Sequence, residues 1–239
     1  MNPPAPSPIA REAEVRAMFD RIAWRYDLMN GLMTFGRHQV WRRRAARLAQ
    51  PHAGTIALDV ATGTGDLARA LLENIRVQRV VGVDFSEAML ALGSQKSRRL
   101  NLESRLHFVA GDALALPFPD HTFSCVTSAF LLRNLTDLEQ GLREMARVTR
   151  PGGRVVALET SNPTLPLFRS VFAWYFQRVV PLLGAIVSGD MDAYRYLPRT
   201  SAKFLTPDDL VQAMTKAGLQ DARYQRLALG TVAIHFGVV

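Results

Sequence analysis

Cysteine is almost absent from this chain, since Cys125 is the only one among 239 residues. A single thiol excludes an intrachain disulfide and indicates a reducing compartment, so we expect a cytoplasmic protein. Cys125 lies in a short apolar run, which favours a small buried side chain over a nucleophile. The sequence also shows no signal-peptide pattern at its start, no internal repeats and no long linker. These absences predict a single domain over 1–239, in which residues 1–10 form a disordered tail.

Histidine is scarce as well, with five residues in the whole chain. Neither His38 nor His235 stands with other residues at the spacing of metal ligands, so we predict structural roles for both and no metal site.

Acidic residues are outnumbered, because 29 Lys and Arg face 21 Asp and Glu and give a net charge of +8. Much of the excess lies between Arg37 and Arg47, where residues 42–44 run around a predicted helix. That segment is interpreted either as a solvated helix or as a surface attracted to anionic lipid headgroups. Basic charge alone supports only non-specific nucleic-acid binding. The segment 161–164 lacks an aromatic residue to stack on a flipped base, so we expect no nucleic-acid partner.

What the chain does have is a glycine-rich turn after an apolar run. Residues 58–66 read LDVATGTGD, and a second apolar run ends at Asp84 about twenty residues later. Glycines let the backbone turn sharply and approach a ligand, and a carboxylate at this offset accepts hydrogen bonds from ribose hydroxyls. We therefore predict an adenosine-type cofactor site at Asp59, Gly63, Thr64, Gly65 and Asp84.

The identity of that cofactor is less direct. Gly63 to Ala68 fits the pattern of dinucleotide folds, which keeps an NAD-dependent oxidoreductase in view. Asp66 would oppose a pyrophosphate at the start of the next helix, and Asp59 adds a second carboxylate beside the loop. Acidic surroundings favour a cationic ligand such as S-adenosylmethionine. The alternative role for Asp66 is to cap the helix.

Later segments resemble those of class I methyltransferases in their order. A third strand ends at Gly111-Asp112-Ala113, an LPF segment follows at 116–118, and a helix leads into a Pro-Gly-Gly turn at 151–153. The resemblance places Asp112 and Ala113 against the adenine. It implies an α/β, Rossmann-like class I methyltransferase fold: a seven-stranded, mostly parallel sheet with helices on both faces. We expect the strands at 55–61, 79–84, 105–109, 122–128, 154–160, 221–229 and 231–238, with one antiparallel strand near the C-terminal edge.

Four further signatures resemble the quinone-ring C-methyltransferases of ubiquinone and menaquinone biosynthesis. They lie at 18–42, 132–137, 194–198 and 230–235, so the resemblance covers nearly the whole chain. It implies methylation of a polyprenyl quinol by S-adenosylmethionine, for either pathway, and it leaves a homodimer open. It also implies an N-terminal helical cap over 11–50 and a helical lid over 162–205.

The resemblance places Arg133, Asn134 and Tyr26 at the reacting ring. An arginine stays protonated in proteins and cannot be the base, so Arg133 would stabilise the phenolate and position a water. Asn134 would orient the ring oxygen. The alternatives are an ion pair between Arg133 and Asp137, four residues on, and core packing for Tyr26.

The chain departs from the family pattern at two positions beside this site. Leu131 stands where a glycine is usual, and Ala129 stands where a serine contributes to the cofactor site. The second change removes a hydroxyl contact worth about 1 kcal/mol. These departures keep open an alternative, namely a class I methyltransferase with another small apolar acceptor.

The segment 165–187 is rich in apolar and aromatic residues, interrupted by Arg169, Gln177, Arg178 and Pro181. The interruptions argue against a membrane span and favour an amphipathic helix over the active site or on a bilayer. The alternative is a helix that only packs on the core. We predict both a lid and a peripheral contact with the inner face of the membrane.

Overall fold

Seven β-strands form one sheet in the computed structural model, which describes residues 8–52, 54–74 and 76–239. The strands are β1 (Thr55–Val60), β2 (Val77–Asp84), β3 (Leu106–Ala110), β4 (Phe123–Ala129), β5 (Thr149–Thr160), β6 (Gln220–Leu227) and β7 (Val232–Val238). Their order across the sheet is β3-β2-β1-β4-β5-β7-β6. Only β7 runs antiparallel to its neighbours β5 and β6, which confirms the predicted topology.

Helices cover both faces of this sheet. They are α1 (Pro8–Ile22), α2 (Tyr26–Thr34), α3 (Arg37–Leu48), α4 (Asp66–Leu72), α5 (Glu87–Arg99), α6 (Leu138–Val148), α7 (Pro166–Trp174), α8 (Val180–Ser188), α9 (Met191–Lys203) and α10 (Pro207–Lys216). A π-helical turn, Tyr175–Val179, joins α7 to α8, and a 3-10 turn, Leu132–Asn134, follows β4. Residues 8–10 belong to α1 rather than to the predicted tail, and residues 1–7 lie outside the described part.

The core lies in two layers because the central strands are apolar on both faces. In β1, Ala57, Leu58 and Val60 are fully buried, as expected for a parallel strand covered on each side. One layer packs α3 and α4 on the sheet, and the other packs α6 and α10. A third apolar cluster joins α1, α2, α8 and α9 above one end of the sheet.

The prediction of a Pro-Gly-Gly turn before β5 is wrong. The strand begins at Thr149, five residues earlier than expected, and so contains residues 151–153. Phe123 pairs with Thr149 and Cys125 pairs with Arg154, so the extra residues of β5 form an irregular bulge. Gly152 adopts a φ of 75°, which suits glycine in such a bulge. The bulge lets Pro151 sit inside a strand that proline would otherwise interrupt.

The segment Pro166–Ser188 forms one continuous 23-residue helix through the π turn. By length and composition it could cross a membrane, and only 17% of its most apolar window is buried in the fold. One side of it packs tightly on α9: a Cβ added at Gly184 would lie 2.3 Å from the ring of Tyr194. The helix is therefore attached to the domain along one face and open along the other.

Candidate active site

The loop after β1 turns sharply at the carboxyl edge of the sheet. Ala61, Gly63 and Gly65 all have positive φ, of 53°, 55° and 82°. At Gly65 a Cβ would lie 2.9 Å from the ring of Phe108, so both the backbone conformation and the space require glycine. The turn presents the backbone N–H of Gly63 towards the end of β2.

Asp84 ends β2 directly beside that loop. Its Oδ2 accepts a 2.8 Å hydrogen bond from the Gly63 backbone N–H, and its Oδ1 accepts one of 2.9 Å from Ser86. Burial raises the pKa of the Asp84 carboxyl, while these N–H donors oppose the shift. The carboxylate is thus fixed in one orientation, with lone pairs left for a ligand.

A first cavity opens over this edge of the sheet, with about 820 Å³ of space including its mouth. Four of the predicted cofactor residues line it: Gly63, Asp84, Asp112 and Ala113. The two carboxylates suit ribose hydroxyls and an amino group, and the apolar walls suit an adenine ring. The residues present therefore fit S-adenosylmethionine. The departures Ala129 and Leu131 line the same cavity.

The other predicted cofactor residues, Asp59, Thr64 and Gly65, do not line this cavity. Asp59 is 1% exposed and accepts 2.8 Å hydrogen bonds from the hydroxyls of Thr62 and Thr127. Burial raises the pKa of Asp59 to about 6. The hydroxyl of Thr64 donates to Asp27 Oδ1 at 2.7 Å, and Gly65 faces Phe108. These three residues support the loop, and a direct cofactor contact for them stays a prediction.

The interpretation of Asp66 as an acid facing the ligand is wrong, and it does not cap α4 either. Its carboxylate is buried, forms an ion pair with Lys96 and accepts a 2.7 Å hydrogen bond from Gln39. Although burial raises its pKa, the Lys96 and Arg42 cations hold that pKa below the ordinary value. The charge that was expected to attract a cationic ligand is therefore neutralised within the protein.

A second cavity lies next to the first, with about 970 Å³ of space including its mouth. Its wall is mainly apolar and aromatic, and comes from α1, α2, α3, the turn after β4, α7 and α9. Four residues line both cavities: Phe19, Tyr26, Phe130 and Asn134. These shared residues form the boundary between the two cavities.

Asn134 stands at this boundary, on the 3-10 turn after β4. Its Nδ2 donates to the Phe130 carbonyl at 3.2 Å, and its Oδ1 accepts from the Tyr196 hydroxyl at 3.2 Å. Phe130 itself adopts a φ of 61°, an uncommon conformation for a non-glycine residue that occurs often at functional sites. Asn134 is thus held in place. One N–H and one oxygen lone pair of its side chain stay available to a ligand.

Arg133 lines the second cavity and not the first, and the alternative interpretation of an ion pair with Asp137 is wrong. Its Nη1 instead lies 2.9 Å from Oε2 of Glu159, on β5, and both side chains are buried. Asp137 caps α6 by accepting the Gln140 N–H at 2.9 Å. Sequence reasoning missed Glu159. The sequence signal for Glu159 was a charged residue directly after the apolar run 155–158, where a buried carboxylate needs a partner.

Tyr26 lines both cavities and contacts Phe19 edge to face at 6.2 Å. His235 is buried and lies 3.2 Å from the Pro207 carbonyl, and burial lowers its pKa to about 4, which confirms a structural role. His38 lines the second cavity and hydrogen-bonds Thr34 at 2.8 Å. Burial and the Arg42 cation lower its pKa.

The arginine segment is not uniformly solvated, contrary to one expectation. Arg42 is 5% exposed and lies 5.8 Å from the Phe130 ring, whereas Arg43 and Arg44 are exposed and contact Glu73 and Gln225. Arg42 is therefore part of the support of the site, and no membrane contact rests on it. Cys125 is buried, and burial raises its pKa to about 12, which confirms an unreactive thiol.

Comparison with known proteins agrees with this geometry. A demethylmenaquinone methyltransferase of Thermus thermophilus is 49% identical over 220 residues, covering 92% of this chain and 99% of that protein. One of Deinococcus radiodurans is 45% identical over 236 residues, covering 99% and 97%. The fold matches a SAM-dependent methyltransferase of Aquifex aeolicus with a TM-score of 0.62 at 16% identity, covering 89% and 98%.

The sheet order, the glycine turn bonded to Asp84 and the cavity above them define a class I S-adenosylmethionine-dependent methyltransferase. The NAD-dependent alternative is thereby set aside. The chain belongs to the ubiE/COQ5 methyltransferase family, whose profile matches residues 8–239.

Proposed function

We propose that this enzyme methylates a carbon of a polyprenylated hydroquinone ring, with demethylmenaquinol as the acceptor. The observation that carries the proposal is the pair of adjoining cavities with four shared residues. The second cavity is lined by rings and aliphatic side chains, which suit a flat apolar ring. Its few polar groups include Arg133 and Asn134 next to the boundary, which suit the oxygens of that ring. The ubiquinone precursor has a similar ring edge and is the second candidate, since the resemblance found in the sequence implies either pathway.

The residues that line the two cavities would have separate roles in methyl transfer. S-adenosylmethionine supplies an electrophilic methyl group when it is bound. Asn134 and Tyr26 orient the ring so that the carbon next to a phenol oxygen faces the boundary between the cavities. The guanidinium of Arg133 stabilises negative charge on that oxygen, which makes the neighbouring carbon more nucleophilic. The ring proton is lost to a water that Arg133 holds, since an arginine cannot itself take it.

Contact with a membrane surface is the second part of the proposal. Large apolar side chains are exposed every three or four residues along Pro166–Ser188, so they lie on one side of the helix. The π turn adds one residue to the helix, and the exposed positions after it are displaced by that one residue. These apolar side chains are Leu167, Val171, Trp174, Leu182 and Ile186. Exposed Leu28, Leu32 and Phe35 extend the apolar surface on the neighbouring helix α2 and its C-terminal cap. A polyprenyl tail must stay out of water, and this open face beside the second cavity would let it pass into the bilayer.

The helices α7–α9 would close over the ring as a lid, as the sequence predicts. Phe172 and Phe176 of this segment stack at 5.2 Å and line the second cavity, while Trp174 points outward and is 63% exposed. One helix therefore presents separate faces to the acceptor and to the surroundings.

The test is turnover of labelled S-adenosylmethionine with demethylmenaquinol and, separately, with the demethylated benzoquinol, both kept reduced by dithionite. We expect methyl transfer to demethylmenaquinol. Transfer to both rings would mean that the pathway depends on which quinol the cell makes. Binding of S-adenosylmethionine without transfer to either ring would overturn the proposal and favour another small apolar acceptor.

A further inference from the structure

Glu159 is a buried carboxylate that the mechanism above does not use. It ends the apolar run of β5 and is 0% exposed. Burial raises the pKa of its carboxyl, and the Arg133 cation opposes that shift. A buried charge is costly unless it is paired and hydrogen-bonded, so the partners of this carboxylate determine what it can do.

The two oxygens of Glu159 hold two different parts of the turn after β4. Oε1 accepts the Leu132 backbone N–H at 2.6 Å, and Oε2 lies 2.9 Å from Nη1 of Arg133. The same carboxylate thus fixes the backbone of the 3-10 turn and the side chain that this turn carries. Asn134, the next residue, takes its position from the same turn.

The held guanidinium still has donors to offer. Arg133 Nε is buried and has no hydrogen-bond partner among the described residues. The guanidinium carbon lies 5.4 Å from the Phe130 ring, whose residue belongs to the boundary between the cavities. Arg133 is therefore anchored through Nη1 at the wall of the second cavity, and its Nε keeps an unused donor.

From this geometry we propose that Glu159 is a positioning residue, which holds Arg133 and the Leu132–Asn134 turn in the orientation that methyl transfer requires. It acts through Arg133 and lines neither cavity. The inference rests on the proposed role of Arg133 at the acceptor ring.

The substitution Glu159→Gln isolates the charge. A glutamine oxygen still accepts the Leu132 N–H, but its amide N–H groups then face the guanidinium and Arg133 turns away. We expect kcat with demethylmenaquinol to fall about 10- to 100-fold, the effect of losing a charged hydrogen bond. The Kd for S-adenosylmethionine is expected to stay within about twofold, because Arg133 does not line the first cavity. Glu139→Gln, which removes the exposed partner of Arg143, is the matched control and should leave both values unchanged.

A double variant distinguishes positioning from a purely structural role. If Glu159 acts through Arg133, adding Glu159→Gln to Arg133→Ala causes no further loss of kcat. A further loss of similar size, or an equal loss of S-adenosylmethionine affinity, would overturn the inference. So would a kcat of Glu159→Gln within twofold of the unaltered enzyme.

Failure of the proposed function gives a different result. If the unaltered enzyme methylates neither quinol, binding to the second cavity is measured instead of turnover. Trp41 lines this cavity, so quenching of its fluorescence by menadione is the readout. Weaker quenching in Glu159→Gln than in Glu139→Gln would support positioning of Arg133 at this cavity. Equal quenching would overturn it.

Discussion

The backbone N–H of Gly63 donates a 2.8 Å hydrogen bond to Oδ2 of Asp84, and so joins the loop after β1 to the end of β2. The two residues are 21 positions apart, and the sequence pattern predicts both in one cofactor site. Their bond means that the carboxylate and the glycine turn form one rigid unit. A ligand that binds Asp84 also meets the backbone of the loop.

The first prediction concerns this unit. Asp84→Asn removes the negative charge that would accept the ribose hydroxyls, and it sets an amide N–H against the Gly63 donor. Loss of a charged hydrogen bond costs about 1.5–3 kcal/mol, so the Kd for S-adenosylmethionine should rise about 10- to 100-fold. Isothermal titration calorimetry measures it. Asp221→Asn, at an exposed position of β6, is the control. An unchanged Kd in Asp84→Asn would remove this carboxylate from the cofactor site.

The second prediction separates cofactor from acceptor. Arg133 lines the second cavity and not the first, so Arg133→Ala should reduce kcat by about 100-fold or more, as loss of an oxyanion donor does, with S-adenosylmethionine affinity nearly unchanged. Single-turnover methyl transfer and calorimetry measure the two effects. Arg143→Ala, at an exposed arginine of α6, should change neither. Near-normal turnover of Arg133→Ala would exclude this residue from the mechanism.

Local patterns gave most of the fold, while contacts between distant segments escaped them. The strands, the glycine turn and Asp84 could be predicted because apolar runs and turn residues act over a few positions. The partner of Arg133 could not, since Asp137 lies one helical turn away whereas Glu159 is 26 residues distant. The bond between Tyr196 and Asn134 spans 62 residues. Only the packing of β4, β5 and α9 brings these pairs together.

Asp66 shows the same limit in another form. The sequence places a carboxylate beside the glycine turn, but it does not indicate which cation reaches it. Lys96, 30 residues on in α5, neutralises that carboxylate, and so the electrostatic argument for a cationic ligand fails although the cofactor assignment holds. The direction of a buried side chain depends on neighbours that the local sequence does not identify.

The third prediction restores a missing hydroxyl. Ala129 lines the first cavity at the end of β4, where the family resemblance implies a serine. Ala129→Ser should strengthen S-adenosylmethionine binding by about fivefold, which corresponds to one hydrogen bond of about 1 kcal/mol. Calorimetry on this variant and on Ala202→Ser, an exposed position of α9, tests it. Binding that is no tighter than in Ala202→Ser would mean that this edge of the cavity does not meet a polar group of the cofactor.

The fourth prediction concerns acid stability. Burial lowers the pKa of His235 to about 4 from 6.5, so between these values the unfolded chain binds a proton that the folded one does not. Stability from this residue is therefore constant above pH 6.5 and falls as the pH drops towards 4, by about 3 kcal/mol in total.

Urea unfolding at pH 7, 5.5 and 4.5 measures this effect against His235→Gln, which has no such group. The free energy of unfolding of the unaltered protein should fall relative to that of the variant as the pH is lowered. Asp59 titrates in the opposite sense, since its pKa is raised to about 6, and the comparison with the variant cancels its contribution. A constant difference across the three pH values would contradict the prediction.

The fifth prediction tests the membrane surface on its own. Leu167 and Trp174 are 81% and 63% exposed on one side of the Pro166–Ser188 helix. Replacing both with serine removes apolar area that would enter the lipid interface. Because each large side chain is worth about 1.5–3 kcal/mol when fully buried, the pair should weaken vesicle binding by at least 10-fold. Flotation with vesicles containing phosphatidylglycerol measures the bound fraction. Attraction to these anionic lipids should also decline as salt is raised, given the net charge of +8.

Two single variants show whether this effect belongs to the surface. Leu100→Ser changes an exposed leucine after α5, outside the proposed surface, and should leave flotation unchanged. Phe172→Ser changes a residue that lines the second cavity, and should weaken quinol binding more than flotation. If the double variant at Leu167 and Trp174 floats like the unaltered protein, this helix does not contact the bilayer. If Phe172→Ser alone abolishes flotation, lipid contacts the side of the helix that lines the second cavity. The helix would then have to rotate to expose that side.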